Sequence, residues 1–147
     1  MAGVSIKNLT RSSYIGQPYV FSAVAKEVLP EWDVSLVFVT PTKARALNKK
    51  LRGKDYVPNV LSYIVGEKSA EIIICPSEAI KQASAYGLMP SAFILYLFIH
   101  GALHIKGWSH GAKMEVCERK LVARYEAAHS HRHRHRHVPG KNGRRRG

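Results

Sequence analysis

The chain has 147 residues, of which 46% are apolar, 22% charged and 9% aromatic, and this suits one domain with a sizeable core. The composition excludes a wholly disordered chain, a collagen-like fibre and a disulfide miniprotein. The formal charge is +13; residues 1–128 hold 16 basic against 10 acidic residues, and residues 129–147 hold seven against none. A basic body with a basic tail favours polyanions such as nucleic acid as partners, with membrane surfaces as the alternative.

The first half of the chain predicts strands that alternate with helices. In chain order we expect a strand over 4–9, a helix over 17–29, a strand over 32–40 and a helix over 41–51. Thr40 and Pro41 provide an N-cap and a first helical residue for the second helix, and Gly53 closes it.

The second half predicts a hairpin and then three helices. The strands cover 59–65 and 71–75 around a polar turn at 66–69, and the helices cover 76–87, 91–106 and 112–127. This order indicates a single domain of the α/β or α+β class with one mixed sheet. The expected core residues on these elements are Trp32, Phe38, Phe93, Tyr96 and Phe98.

Secretion and membrane insertion are both unexpected. The first ten residues lack a positively charged segment followed by an apolar one. The apolar stretch 91–105 has about 15 residues against the roughly 20 that span a bilayer, and it contains two histidines, which favours a buried core helix. Cys75 and Cys117 form no disulfide framework and are expected to be small buried hydrophobes. These features predict a cytoplasmic protein with no membrane partner.

Residues 129–147 form a low-complexity tail that we expect to be disordered until it binds a partner, so that the folded domain covers 1–128. Arg132, Arg134 and Arg136 are candidate RNA contacts within this tail. Its five histidines alternate with serine and arginine and would also suit metal scavenging. An engineered or merely solvated extension is the other interpretation of the tail.

Three histidines carry the main chemical signal. His100 and His104 are four residues apart and therefore project from one face of a helix, and Gly107 can end that helix sharply enough for His110 to return towards them. Three imidazoles with an open fourth position are typical of a catalytic zinc site. The alternative is a set of ordinary histidines on a helix and its following turn.

Gly101 separates this pattern from the H-E-x-x-H metallopeptidases, whose general-base glutamate follows the first histidine directly. A peptidase function is therefore disfavoured. Because glycine inside a helix costs about 1 kcal/mol relative to alanine, we expect a strand or a substrate backbone to approach closely at this position. A merely tolerated glycine is the alternative.

Residues 100–110, HGALHIKGWSH, resemble the H-G-x-L-H-L-x-G-Y-D-H signature of the YbeY family of bacterial metal-dependent endoribonucleases. The resemblance extends in ordered blocks over roughly residues 30–125. These blocks are Leu47-Asn48, Leu51–Asp55, Val60–Tyr63, Glu71–Cys75, Met114 and Glu118. The chain departs from the family pattern at Pro58-Asn59 (for Thr-Asp), Ala70-Glu71 (for Gly-Asp), Ser109 (for Asp) and Gly111.

The resemblance implies a mixed four-stranded sheet packed with about five helices, and one zinc-type ion on His100, His104 and His110. It also implies a functional arginine at Arg52. The implied activity is single-strand-selective RNA hydrolysis in rRNA maturation and ribosome quality control, with rRNA or a ribosomal subunit as partner and no organic cofactor. We therefore expect Arg52 and the three histidines to be the catalytic residues.

Arg52 is also a candidate phosphate contact on chemical grounds alone, since a guanidinium fork suits two phosphate oxygens. The alternative is a solvated helix C-terminus, where cations favour the helix dipole. Lys54, in the same loop, is a candidate RNA contact. Trp108 lies in the metal loop and is a candidate for stacking on a base, with packing beneath the loop as its alternative.

One rival function belongs to a different class. A ribosome- or RNA-associated binding factor would use the metal only to brace its fold. Three ligands rather than four argue against it, whereas the missing carboxylate at Ser109 argues for it. The sequence does not indicate the oligomeric state.

Overall fold

The computed structural model describes residues 2–13 and 15–136, with side chains up to Glu126. Its elements are β1 (Gly3–Asn8), α1 (Pro18–Val28), β2 (Asp33–Phe38), α2 (Pro41–Arg52), β3 (Val60–Gly66), β4 (Ser69–Ile74), α3 (Pro76–Ala83), α4 (Pro90–Lys106) and α5 (Ala112–Arg136). The four strands form one mixed sheet. The predicted α+β fold with a single four-stranded sheet and five helices is confirmed.

The strand order in the sheet is β1-β2-β4-β3. β1, β2 and β4 run parallel, and β3 pairs antiparallel with β4. The predicted hairpin is tighter than expected, because Gly66 pairs with Ser69 and leaves only Glu67 and Lys68 in the turn, where Lys68 takes a positive φ of 56°.

The helices cover the two faces of the sheet unequally. One face of the sheet carries Leu36 and Ile72. It packs against α1, α4 and α5, and together they form the larger core. The second face packs against α2 through a smaller cluster that includes Leu61 and Ile73. Of the predicted core residues, Phe38, Phe93 and Phe98 are fully buried, whereas Trp32 and Tyr96 are partly buried at the margin of the larger core. Cys75 is buried as predicted, and Cys117 is only partly buried.

The ends of the helices follow the predicted capping residues. The Thr40 hydroxyl accepts a hydrogen bond from the Lys43 backbone N–H at 3.4 Å, and Gly53 ends α2 with φ 70°. The helix predicted over 76–87 is α-helical only to Ala83 and continues as a 3₁₀ turn over Ser84–Tyr86. Gly87, with φ 68°, then ends it.

Helix α4 packs closely on the sheet at Gly101. A Cβ atom at this position would lie 3.3 Å from Ser62 Cβ on β3 and 3.3 Å from Ile72 Cγ2 on β4. The predicted close approach of a strand is therefore observed, and a side chain at position 101 would be in tight contact with the sheet. This contact presses one side of α4 onto the sheet and leaves Tyr96, His100 and His104 on its partly exposed side.

Within the part of the chain that is described, no single helix is long and apolar enough to cross a membrane. Residues 76–86 and 90–106 reach the required length and composition only as a pair, which is bent by 102°.

Helix α5 is longer than predicted. We expected it to end near Ala127, but it continues to Arg136, because the first residues that disfavour a helix are Pro139 and Gly140. The backbone of residues 129–136 is thus described as the last part of α5, and the predicted disorder of the tail stays a prediction. Residues 137–147 lie outside the described residues, and the domain boundary at 128 stays a prediction.

Candidate metal centre and substrate groove

The structure brings the three predicted histidine ligands together. His100 and His104 project from the same side of α4, and Gly107 ends the helix with φ 108°. The Trp108 backbone N–H then donates to the Leu103 carbonyl at 3.0 Å, so that the chain turns back towards the helix. This turn places His110 Nε2 3.1 Å from His104 Nε2, which in turn lies 3.1 Å from His100 Nε2.

The geometry of the three imidazoles fits a transition metal. One nitrogen from each ring lies within 4.8 Å of the others. A zinc ion bonded to nitrogen at about 2.0–2.1 Å with tetrahedral angles would separate its ligands by about 3.3 Å, close to the observed Nε2 distances. Nitrogen donors suit zinc and its neighbours in the transition series, and three protein ligands leave one position open.

Two of the ligands are held by hydrogen bonds at their other ring nitrogen. His104 Nδ1 lies 3.1 Å from the Trp108 carbonyl oxygen, and His100 Nδ1 lies 2.5 Å from Glu118 Oε2. In both cases Nδ1 donates its proton, which leaves the Nε2 lone pair free for a metal. Burial, reinforced by the neighbouring His100, lowers the pKa of His104 and favours the neutral imidazole that metal binding requires.

Glu118 was matched to the family pattern but not predicted as a site residue. Glu118 belongs to α5 and is 2% exposed. The second carboxylate oxygen lies 3.4 Å from the Tyr96 hydroxyl, and burial together with Glu118 raises the pKa of Tyr96 to about 12. The sequence did contain an indication of this role. Glu118 comes four residues after the apolar Met114, so both residues lie on the same side of a helix, and a carboxylate on an apolar side is unusual.

A groove of about 630 Å³ lies beside the histidines. It is bordered by the end of α2 and the loop that follows it, by the first residue of β3, by α3 and by His100 of α4. The lining residues are Arg52, Tyr56, Val57, Pro58, Asn59, Val60, Glu78, Lys81, Gln82 and His100. Arg52 and His100, one of the three candidate ligands, therefore line one cavity.

Arg52 is held against the groove wall by neutral partners. Its Nη1 donates to the Tyr56 hydroxyl at 3.2 Å and to Asn48 Oδ1 at 3.4 Å. Asn48 is fully buried and donates in turn to the Tyr56 carbonyl at 3.1 Å. The hydrogen bond from Arg52 lowers the pKa of Tyr56. These contacts fix the side chain at the exposed end of α2, and the choice between a substrate contact and a solvated helix C-terminus stays a prediction.

The other predicted RNA contacts are less central. Lys54 is exposed and is not among the residues that line the groove. Trp108 is partly buried and packs against the larger core, with Lys113 Nζ 5.2 Å from its ring centroid, which favours the packing alternative. Arg132, Arg134 and Arg136 lie on the α5 backbone, and their side chains fall outside the described residues.

At two positions where the chain departs from the family pattern, Asn59 and Glu71, the side chain forms a hydrogen bond to a neighbouring element. Asn59 Nδ2 donates to Gln82 Oε1 at 2.9 Å across the groove, and the Glu71 carboxylate accepts from the Tyr63 hydroxyl between β4 and β3. The position that carries the glutamate of a peptidase is Gly101, which faces the sheet at Ser62. A glutamate at this position would therefore be in tight contact with the sheet, and the chain has no side chain there to act as the general base of a metallopeptidase.

The family model described as "Endoribonuclease YbeY" matches residues 6–131. A Neisseria meningitidis serogroup B protein named Endoribonuclease YbeY is 37% identical over 89 residues, which are 53% of this chain and 53% of the relative. A Burkholderia pseudomallei protein of the same name is 31% identical over 130 residues, covering 75% of this chain and 71% of the relative.

The extent of these matches differs among the relatives. The chain spans about half the length of the Neisseria meningitidis proteins that it matches. Among solved structures, the solution structure of TM1509 from Thermotoga maritima superposes with a TM-score of 0.66 and covers 95% of this chain and 99% of that one. At 21% sequence identity, this likeness concerns the fold.

Proposed function

The chain belongs to the YbeY family of endoribonucleases, and on this premise we propose that it is a metal-dependent endoribonuclease selective for single-stranded RNA. The observation that carries the proposal is the groove that Arg52 shares with His100, which is one of the three clustered histidines. The excess of basic residues supports a polyanionic substrate.

The histidines would hold a divalent metal, most simply zinc, through three Nε2 atoms. The chemistry that such a metal supplies when bound is Lewis acidity at the scissile phosphate and a lowered pKa for water. His100 and His104 keep their Nε2 lone pairs available because Glu118 and the Trp108 carbonyl accept the Nδ1 protons. The residues of the chain therefore preorganise the centre before substrate binds.

Arg52 would bind and neutralise the phosphate at the other side of the groove. Its guanidinium is planar and can donate two parallel hydrogen bonds to phosphate oxygens. Tyr56 and Asn48 bond only to Nη1, so the contacts that hold the side chain leave Nη2 and Nε to donate to the substrate. These bonds strengthen as charge develops in the transition state, which is the condition for accelerating cleavage.

The proposed setting is rRNA maturation and ribosome quality control in the cytoplasm, with rRNA or a ribosomal subunit as partner. What supports this setting is the resemblance of residues 100–110 to the family signature, together with the basic charge of the chain. No organic cofactor is needed, because a metal, Arg52 and water account for the hydrolysis.

A cleavage assay with purified full-length protein tests the proposal. The substrates are a single-stranded rRNA fragment, the same fragment in a duplex, and casein as a peptidase substrate, each with chelator and after zinc is restored. We expect chelator-sensitive cleavage of the single strand alone. Binding to the RNA without cleavage under every metal condition would instead favour the binding-factor alternative, and cleavage of casein would favour a peptidase.

A further inference from the structure

We propose that Glu118 is a positioning residue of the metal centre, which orients His100 and balances part of the charge of the bound ion. The inference rests on the proposed metal binding by the three histidines. Glu118 is not one of the three candidate ligands; it acts through its hydrogen bond to the imidazole of His100.

The contact between Glu118 and His100 joins two helices. Glu118 Oε2 on α5 lies 2.5 Å from His100 Nδ1 on α4, and Oε1 lies 3.4 Å from the Tyr96 hydroxyl one turn earlier on α4. Both carboxylate oxygens therefore have donors. Glu118 is 2% exposed, and polar groups buried to this extent are as a rule hydrogen-bonded.

The two held histidines differ in what holds them. His104 donates to the Trp108 carbonyl, which belongs to the turn that directly follows its own helix. His100 depends on a side chain from the next helix, so its orientation requires that α5 be docked on α4. The packing of α5 is thus part of the metal site and not only part of the core.

Charge supplies a second reason for a carboxylate at this place. Three neutral imidazoles contribute no negative charge towards a divalent ion. Ser109, the residue next to the third ligand, has no carboxylate to offer. Among the described residues, Glu118 is the acidic side chain bonded to one of the three ligands, and a carboxylate that accepts from Nδ1–H raises the basicity of Nε2.

Zinc affinity of the full-length protein tests this role through competition with a chromophoric chelator. Glu118→Ala should weaken zinc binding about 10–100-fold, the usual cost of losing such a partner. Glu118→Gln should weaken zinc binding less, because its amide oxygen can still accept the hydrogen bond from His100 Nδ1. If the alanine variant does not fold, this near-isosteric variant provides the measurement of zinc affinity. Glu115→Gln, an exposed change one turn earlier on α5, should bind as the wild type does.

The tail histidines require a background measurement. A variant with His100, His104 and His110 all changed to alanine reports the zinc held elsewhere in the chain. If the wild type binds no more zinc than this variant, the proposed metal site fails. If the wild type binds more but Glu118→Ala and Glu118→Gln both match its affinity, only the positioning role is overturned.

The tautomer of His100 separates positioning from simple stabilisation. Two-bond ¹H–¹⁵N correlation spectra of the metal-free protein should show His100 with its proton on Nδ1, and Glu118→Ala should lose that preference. A purely structural role would lower the thermal midpoint while the tautomer of His100 and the zinc affinity stayed unchanged. That result would contradict the proposal.

Discussion

Gly101 of α4 lies directly against Ser62 of β3, at a distance where an added Cβ atom would be 3.3 Å from Ser62 Cβ. Gly101→Ala would gain about 1 kcal/mol of helix propensity. Its Cβ atom would also press on both Ser62 and Ile72, and overpacking of a core typically costs about 1–3 kcal/mol. We expect a net loss of about 1 kcal/mol of unfolding free energy.

Chemical denaturation of four proteins measures this effect: the wild type, Gly101→Ala, Ser62→Gly and the double variant. The double variant should be more stable than the sum of the single changes predicts, because removing the Ser62 side chain relieves one of the two close contacts. Additive effects would show that the contact with Ser62 does not limit residue size at position 101.

Zinc should stabilise the folded protein through the three histidines. A ligand that binds only the folded state raises stability by RT ln(1 + [L]/Kd), or about 2.7 kcal/mol at a hundredfold excess over Kd. We therefore expect zinc to raise the thermal midpoint of the wild type, and chelator to reverse the rise. The variant with all three histidines changed to alanine should show no such rise. An equal rise in both proteins would place the stabilising metal elsewhere.

Arg52→Lys should slow cleavage far more than it weakens RNA binding. The substitution keeps a positive charge but loses the planar fork, and removing one transition-state donor typically costs about 100-fold in rate. Single-turnover cleavage at saturating RNA and equilibrium binding, measured on the same RNA, separate the two effects.

Arg45→Lys provides a matched control for this experiment. Arg45 lies on the same helix but bonds to Asp55 at 2.6 Å and does not line the groove of Arg52. Its replacement should leave the cleavage rate unchanged. Equal losses of rate and affinity in Arg52→Lys would make Arg52 a docking residue, and an unchanged rate would favour the helix C-terminus interpretation.

The sequence predicted the elements because their signals are local. Thr40, Gly53 and Gly107 act on their own helix ends, and the spacing of His100 and His104 follows from a single helix. Glu118 could not be assigned a role in this way, because its partner lies on another helix and only tertiary packing brings them together. The groove between Arg52 and His100 likewise depends on how α2 and α4 flank β3.

Glu27 should stabilise the docking of α5 at neutral pH. Arg124 Nη1 donates to both carboxylate oxygens of Glu27 at 2.7 Å, and the Tyr125 hydroxyl donates at 2.7 Å. The hydrogen bond from Arg124, followed by that from Tyr125, lowers the pKa of Glu27 in the folded state. Its contribution is therefore present above the unfolded pKa and is lost as the pH falls through the folded pKa.

Glu27→Gln should accordingly lower the thermal midpoint at pH 7. At a pH below the folded pKa of Glu27, the variant and the wild type should have nearly the same thermal midpoint. The side chains of Arg124 and Glu27 are 55% and 39% exposed, so solvent screening limits the contribution to about 1 kcal/mol or less. Glu31→Gln, an exposed change just after α1, is the control and should follow the wild-type pH dependence. A constant difference between Glu27→Gln and wild type at all pH values would exclude ionisation as the cause.

The basic tail should add salt-dependent affinity for RNA without taking part in cleavage. Residues 129–147 contain seven lysines and arginines, and single-stranded nucleic acid gives a slope of log K against log salt of about −0.7 per contact. Replacing all seven with glutamine should therefore flatten the slope by up to about 5 units, and by less if only some residues bind. The wild type should also gain affinity below about pH 6.5, where the five tail histidines acquire charge.

Cleavage provides the second half of this test, because the groove and the three histidines all lie before residue 128. Single-turnover cleavage at saturating RNA should be the same with and without the seven cations, since saturation removes the difference in affinity. Coincident salt slopes would show that the tail does not bind RNA. A collapse of cleavage at saturation would instead place part of the tail in the active site. The domain boundary at 128 would then be wrong, because α5 continues past it to Arg136 and connects the two parts of the chain.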